Sequence, residues 1–111
     1  MSPSPIVLSA RRRRTQTQFM PSTASVVVWI QDAELGAILR AARVRRRLTC
    51  AHLVARGLYL DRGSLAKVER GEKAIEWQVL TRAASLLNAP DVLRYAEGLI
   101  AAALAPDGWA S

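Results

Sequence analysis

Apolar residues recur at helical spacing through residues 32–104 and predict a bundle of helices. In the first of these helices Leu35, Leu39 and Ala42 are separated by four and three positions, so they share one face. Asp32 stands immediately before this pattern and is a good N-cap. The same reasoning predicts four further helices, over about residues 50–57, 62–70, 75–88 and 90–104. The fold class expected is therefore all-α, a compact bundle of about five helices.

Two of the predicted helices are short and are joined by a tight turn within Leu48–Gly71. Thr49 is the expected N-cap of the first, and Asp61 is the expected N-cap of the second. Gly57 ends the first helix and Gly71 ends the second, since glycine tolerates the left-handed conformation of a helix C-terminus. This arrangement is typical of a helix-turn-helix, whose second helix reads the major groove of DNA.

The segment 1–31 has a different composition from the rest of the chain. It is rich in Ser, Thr, Pro and Gln, includes the run Arg11–Arg14, and has no acidic residue. No helical or strand period is evident over 1–25, so we expect a disordered basic arm. The arm could contact phosphates or enter a minor groove, or it could be a solvated tail, or it could precede a natural start at Met20. Val26–Ile30 is expected either as a short strand or as a lead-in to the first helix. The expected organisation is a flexible basic arm at 1–31, a helix-turn-helix domain at 32–105 and a short tail at 106–111.

Charge and composition narrow the class of partner. The net charge of +7 on 111 residues favours a polyanion, either nucleic acid or a membrane surface. No apolar run approaches the ~20 residues that span a bilayer. Cys50 is the only cysteine, which excludes an intrachain disulfide and favours a reducing, cytoplasmic setting. Cys50 and the only histidine, His52, are two apart and do not face each other on a helix, so we expect no catalytic pair, metal site or cofactor.

The ordered motifs resemble the Cro/C1-type (XRE-type) helix-turn-helix domain over about residues 33–95. The closing sequence Val68-Glu69-Arg70-Gly71 is the most specific piece. The other residues that carry the resemblance are Leu35, Gly36, Leu39, Arg40, Arg43, Leu48, Thr49, Leu53, Arg62, Ser64, Leu65, Leu80, Ala83 and Leu86. The resemblance implies a five-helix bundle that binds operator DNA.

Three departures from the family pattern bear on the site. Cys50 stands where family members usually carry a glutamine that helps to hold a phosphate. The segment from Leu48 to Gly71 is about one residue longer than usual, and the extra residue is expected within 57–60. Arg47 replaces a customary glycine, so the first helix is expected to end differently.

The candidate site residues follow from the motif and the resemblance. The start of the recognition helix is where family members contact bases, and an arginine fork there can bond a guanine edge in two places. The expected base contacts are Arg62, Ser64 and Lys67. The expected phosphate contacts are Thr49, Cys50 (through its backbone N–H), Arg46, Arg47, Arg70 and Lys73. The acid of the closing motif is expected to form a structural ion pair between Glu69 and Arg43.

The expected function is a sequence-specific transcriptional regulator that binds double-stranded DNA. It is expected to be a repressor that acts by operator occlusion as a homodimer. The apolar surface of helix five (91–104) and that of Val26–Ile30 are the two candidate dimer seams. The alternative is an antitoxin or adaptor module that uses the same fold to bind a partner protein. A third reading, electrostatic association of the arm with a membrane surface, predicts no sequence preference.

Overall fold

The computed structural model describes residues 6–9, 16–21 and 26–104. Within these residues the body of the protein is helical, with α1 (Ala33–Arg45), α2 (Cys50–Ala55), α3 (Arg62–Glu69), α4 (Trp77–Leu87) and α5 (Pro90–Leu104). Four strands accompany the helices: β1 (Ile6–Ser9), β2 (Gln16–Pro21), β3 (Val26–Gln31) and β4 (Ile75–Glu76). The five-helix bundle expected from the sequence is confirmed.

Capping residues fix both ends of α1. The Asp32 carboxylate accepts a hydrogen bond from the Leu35 N–H at 2.8 Å. At the other end Arg47 adopts the left-handed conformation, with φ of 55°. The Leu48 N–H then donates to the Arg43 carbonyl at 3.2 Å, as at a glycine-terminated helix. The expectation that this helix ends differently without glycine is wrong, because the arginine takes the conformation that glycine usually supplies.

The N-terminal strands form a sheet that the sequence did not predict. The order is β1-β2-β3-β4, and every neighbouring pair is antiparallel. In this sheet Ile30 is opposite Thr17 on one side and Ile75 on the other. Ile30 is 1% exposed and Thr17 is 0% exposed, so the sheet closes over one side of the helical core. The expectation of a disordered arm is therefore wrong for the residues of β1 and β2, whose backbone groups are paired in a ladder. The Arg11–Arg14 run lies outside the described residues.

Because of this sheet, two segments differ from their expected bounds. Val26–Ile30 is a strand, one of its two expected forms, and Ile75 pairs with it instead of opening α4. The Gln31 side chain donates to the Gly71 carbonyl at 3.1 Å, which ties β3 to the end of α3. Segment 26–31 therefore packs as part of the helical domain.

The core is built mainly from leucine and alanine side chains of all five helices. Leu39, Leu53, Leu65 and Leu80 are each 0% exposed. The remaining buried apolar residues are Ile30, Leu35, Ala42, Leu58, Val68, Ile75, Ala83, Ala84, Leu87, Ala89, Val92, Ala96 and Leu99. Burial of these side chains is the main force that holds α2 and α3 in place, since short helices are not stable alone.

Close approach of α1 and α3 depends on Gly36. A Cβ atom at this position would lie 2.4 Å from the Val68 carbonyl oxygen and 2.6 Å from that of Glu69. Such distances are far below van der Waals contact, so no side chain fits. The glycine of the sequence motif therefore lets the backbones of the two helices meet.

Helix α5 buries one face and exposes its C-terminal end. Val92, Ala96 and Leu99 are buried, whereas Leu104 is 61% exposed. Strand β3 is hydrogen-bonded to β2 and β4, and Ile30 lies in the core, so both neighbours of the Val26–Ile30 segment in the sheet come from this chain. No helix in the described part of the chain combines the length and the apolar character needed to cross a bilayer.

Candidate nucleic-acid interface

Helix α2 begins with a reciprocal cap. The Thr49 hydroxyl accepts from the His52 N–H at 3.1 Å, and the His52 Nδ1 accepts from the Thr49 N–H at 3.3 Å. These bonds satisfy backbone donors that a helix start leaves unpaired. The imidazole of His52 therefore helps to stabilise α2.

The turn between α2 and α3 is compact. Gly57 has a φ of 107° and follows α2. Leu58 is 4% exposed, and its carbonyl accepts from the Leu60 N–H at 2.9 Å. This i to i+2 bond is the mark of a γ-turn centred on Tyr59. The Tyr59 side chain is 86% exposed.

Helix α3 presents two basic side chains to solvent. Leu65 and Val68 are buried on its inner face, 0% and 3% exposed. Arg62 and Lys67 are exposed, and within the described residues neither side chain has a hydrogen bond or an ion pair. Their donor groups are therefore available to an external acceptor.

Ser64, which was expected to contact bases, does not lie on the outer face of α3. It is 8% exposed, and its hydroxyl accepts a hydrogen bond from the Lys73 ammonium group at 2.7 Å. Its backbone N–H donates to the N-cap carboxylate of Asp61 at 2.9 Å. Hydrogen bonding from Ser64 lowers the pKa of Asp61, and its side chain contributes more than its backbone N–H. Ser64 thus links the start of α3 to Lys73, in the segment that follows α3.

Arg43 and Glu69 hold α3 against α1. The Arg43 Nε and Nη2 atoms donate to the two carboxylate oxygens of Glu69 at 2.7 Å and 2.8 Å. Arg43 Nη1 also donates to the Leu48 carbonyl at 2.7 Å. The two side chains are 14% and 4% exposed. Hydrogen bonding to Glu69 raises the pKa of Arg43, and the guanidinium remains charged. The pair expected from the closing motif is thus present, and it also fixes the loop before α2.

The Cys50 thiol points toward this pair. Its Sγ lies 3.9 Å from Glu69 Oε2, and the side chain packs against the core. Burial raises the pKa of Cys50, and the nearby Glu69 carboxylate raises it further. The thiol is therefore in its neutral form and faces the interior.

The candidate phosphate-binding side chains differ in whether they already have a partner in the described chain. Arg46 Nε donates to the Leu87 carbonyl at 3.0 Å, so that side chain contacts the C-terminal end of α4. Arg70 is paired with Glu72 at 3.1 Å. The Lys73 ammonium group donates a hydrogen bond to the Ser64 hydroxyl. Arg47 is exposed and, in the described chain, has no side-chain partner.

One exposed residue was not among the sequence candidates. Tyr59 lies within 57–60, where the extra residue of the turn is expected, and its two neighbours are Leu58 and Leu60. Leu58 is buried and Leu60 is half-buried. Two inward-facing leucines on either side of one residue already indicate that this residue points outward, which is the signal that could have identified Tyr59.

Comparison with known families agrees with this geometry. The family model described as a helix-turn-helix domain matches residues 34–96. Neither the curated proteins nor the solved structures gave a match. The matched region runs from the first turn of α1 into α5 and includes the Arg43–Glu69 pair and the exposed face of α3. The match covers more than half of the chain. The protein therefore belongs to the helix-turn-helix domain family, and a domain of this kind suggests a DNA-binding regulator.

Proposed function

We propose that this protein is a sequence-specific transcriptional regulator of the Cro/C1 (XRE) type, which binds double-stranded operator DNA and represses by occlusion as a homodimer. The observation that carries the proposal is the exposed face of α3, where Arg62 and Lys67 have no partner within the described residues. A recognition helix must offer uncommitted donors to the major groove.

The chemistry of each side chain gives it a role. Arg62 lies at the first position of α3, where a recognition helix contacts base edges, and its guanidinium matches the two acceptors of guanine. Lys67 lies more than one turn further and carries a point charge that suits a base or a phosphate. Ser64 is left out as a base contact, because its buried hydroxyl is bonded to Lys73.

Phosphate contacts complete the proposed interface. Arg47 is an exposed cation without a side-chain partner in the described chain, and Arg70 and Lys73 flank the end of α3. Arg46 and Thr49 lie between α1 and α2, and the backbone N–H of Cys50 is at the start of α2. Such contacts set the register and most of the affinity but carry no sequence information.

Helix α5 is the proposed dimer seam. Leu104 is exposed at its end, and Leu93 and Ile100 are half-buried. A two-fold dimer would place two recognition helices about 34 Å apart, one turn of DNA. Size-exclusion chromatography with light scattering tests this seam, with Leu104→Ser as the variant that weakens it. A monomer at all concentrations contradicts the homodimer and leaves DNA binding to be tested separately.

Selection from a random DNA pool tests the function directly. We expect enrichment of a palindromic sequence. Arg62→Ala should then weaken binding to the enriched site by ~1–3 kcal/mol and relax the preference at one position. Arg82→Ala, which removes an exposed arginine on α4 outside the proposed interface, is the control. If Arg62→Ala weakens binding to operator and random DNA equally, Arg62 does not read bases.

The antitoxin or adaptor reading makes a different prediction. The same fold would then expose an apolar surface to a second protein, and the exposed side chains of Val44 and Leu104 are the available candidates. Absence of any enriched DNA, together with stable association only in the presence of a second protein, would favour that function.

A further inference from the structure

Tyr59 is an unusual residue for the tip of a tight turn. Its side chain is 86% exposed, more than the other two large exposed apolar residues in the described part of the chain, Val44 at 54% and Leu104 at 61%. Burial of an aromatic ring is normally favourable, and this ring is almost fully hydrated. Its exposure therefore calls for a reason outside the packing of the domain.

The backbone of the turn forces the ring outward. The Leu60 N–H bonds to the Leu58 carbonyl at 2.9 Å, which closes a three-residue turn with Tyr59 at its apex. Leu58 is buried and Leu60 is half-buried, so both neighbours are anchored in the domain. The apex residue therefore presents its side chain to solvent, beside two neighbours that the domain holds.

The position of the apex relates it to the proposed DNA interface. Tyr59 precedes Arg62, the first residue of α3, by three positions. In a docked helix-turn-helix the first helix crosses the sugar-phosphate backbone and the second enters the groove. The turn that joins α2 to α3 must then lie at the edge of the groove, beside one strand.

We propose that Tyr59 is a DNA-contacting residue that binds the sugar-phosphate backbone at the edge of the groove read by α3. Its hydroxyl donates to a phosphate oxygen, and its ring packs on the adjoining sugar. Tyrosine is among the side chains that make such contacts, which position a protein without reading sequence. This inference rests on the proposed DNA-binding function.

Measurement of dissociation constants for Tyr59→Ala and Tyr59→Phe tests the proposal. The probes are the duplex enriched by selection and a random duplex of the same length. Loss of one hydrogen bond corresponds to about three- to tenfold weaker binding, which we expect for Tyr59→Phe. Tyr59→Ala should lose more, because the ring contact is lost as well. Both variants should lose affinity by similar factors on the two duplexes, whereas Arg62→Ala should lose more on the enriched duplex.

Val44→Ala is the matched control, since it truncates another exposed apolar side chain on α1. It should bind both duplexes as the unchanged protein does. The thermal midpoint of Tyr59→Ala should equal that of the unchanged protein, because the ring makes little contact with the domain. A lower midpoint would overturn the proposal by showing a structural role.

The outcomes separate this inference from the proposed function. If the unchanged protein binds no DNA, the proposed function itself fails. If it binds and Tyr59→Ala binds equally well, only the role of Tyr59 is overturned. A loss confined to the enriched duplex would assign Tyr59 to base readout and overturn the backbone contact. Lost self-association with unchanged DNA binding would assign the ring to a protein interface and would also overturn it.

Discussion

Arg43 on α1 and Glu69 on α3 are joined by two parallel hydrogen bonds of 2.7 Å and 2.8 Å. The pair is nearly closed to solvent, and the third donor of the arginine holds the Leu48 carbonyl. One guanidinium thus fixes the distance between α1 and α3 and the loop that leads into α2. The exposed face of α3 is held in place by this contact.

Removal of one member of this pair should be costly. Glu69→Ala leaves the Arg43 charge buried without its partner, and such a loss commonly costs ~3–5 kcal/mol. Urea unfolding followed by circular dichroism measures the change. Glu72→Ala, which breaks the exposed pair with Arg70, is the control and should leave the midpoint nearly unchanged. If the two variants are equally stable, the Arg43–Glu69 pair does not fix α3.

Gly36→Ala should destabilise the protein by ~1–3 kcal/mol or more, because a new methyl group would overlap backbone atoms of α3. The matched control is Gly98→Ala on α5, where a Cβ would meet nothing within 4 Å. That change should stabilise the helix by about 0.5–1 kcal/mol, since alanine loses less backbone entropy. The two changes in unfolding free energy are expected to have opposite signs. Changes of the same sign would contradict the close approach at Gly36.

Arg47→Gly should separate stability from DNA binding. Relief of the left-handed conformation gains ~1–2 kcal/mol, and the added freedom of glycine in the unfolded chain offsets about 0.4–1 kcal/mol of it. The net effect is a small stabilisation, measured by thermal unfolding. If Arg47 binds a phosphate, the slope of log affinity against log salt concentration should become shallower by about one in the same variant. An unchanged salt slope would remove Arg47 from the proposed interface.

Asp61 should contribute to the acid sensitivity of the fold. Its pKa is lowered in the folded state by hydrogen bonding from Ser64, so its stabilising effect is present above the unfolded pKa. This effect is lost as the pH falls through the lower, folded value, in a window below about pH 4. Asp61→Asn keeps an N-cap without the titrating group. We expect its unfolding free energy to fall less between about pH 4 and pH 2 than that of the unchanged protein.

Asp61→Ser is the second variant for that titration, since serine also caps a helix start without a titrating group. Its acid limb should follow that of Asp61→Asn. Superimposable acid limbs for Asp61→Asn and the unchanged protein would show that the N-cap hydrogen bonds do not depend on the ionised form.

The sequence by itself determined the five helices and the caps at which three of them begin. Asp32, Thr49 and Asp61 cap α1, α2 and α3 as predicted, because capping is a local interaction between residues three apart. The closing Val68-Glu69-Arg70-Gly71 motif correctly indicated the pair with Arg43, through its resemblance to a known family.

Tertiary structure decided what no local pattern contains. Pairing of β1 and β2 with β3 gave order to segments that have no clear period of their own, since strand ladders join residues distant in sequence. Contact with Lys73 turned Ser64 from an expected base contact into a buried link. The direction of Tyr59 required the bond between Leu58 and Leu60, together with the core that holds them. Local chemistry thus set the elements, and packing between them decided which side chains remain free to bind.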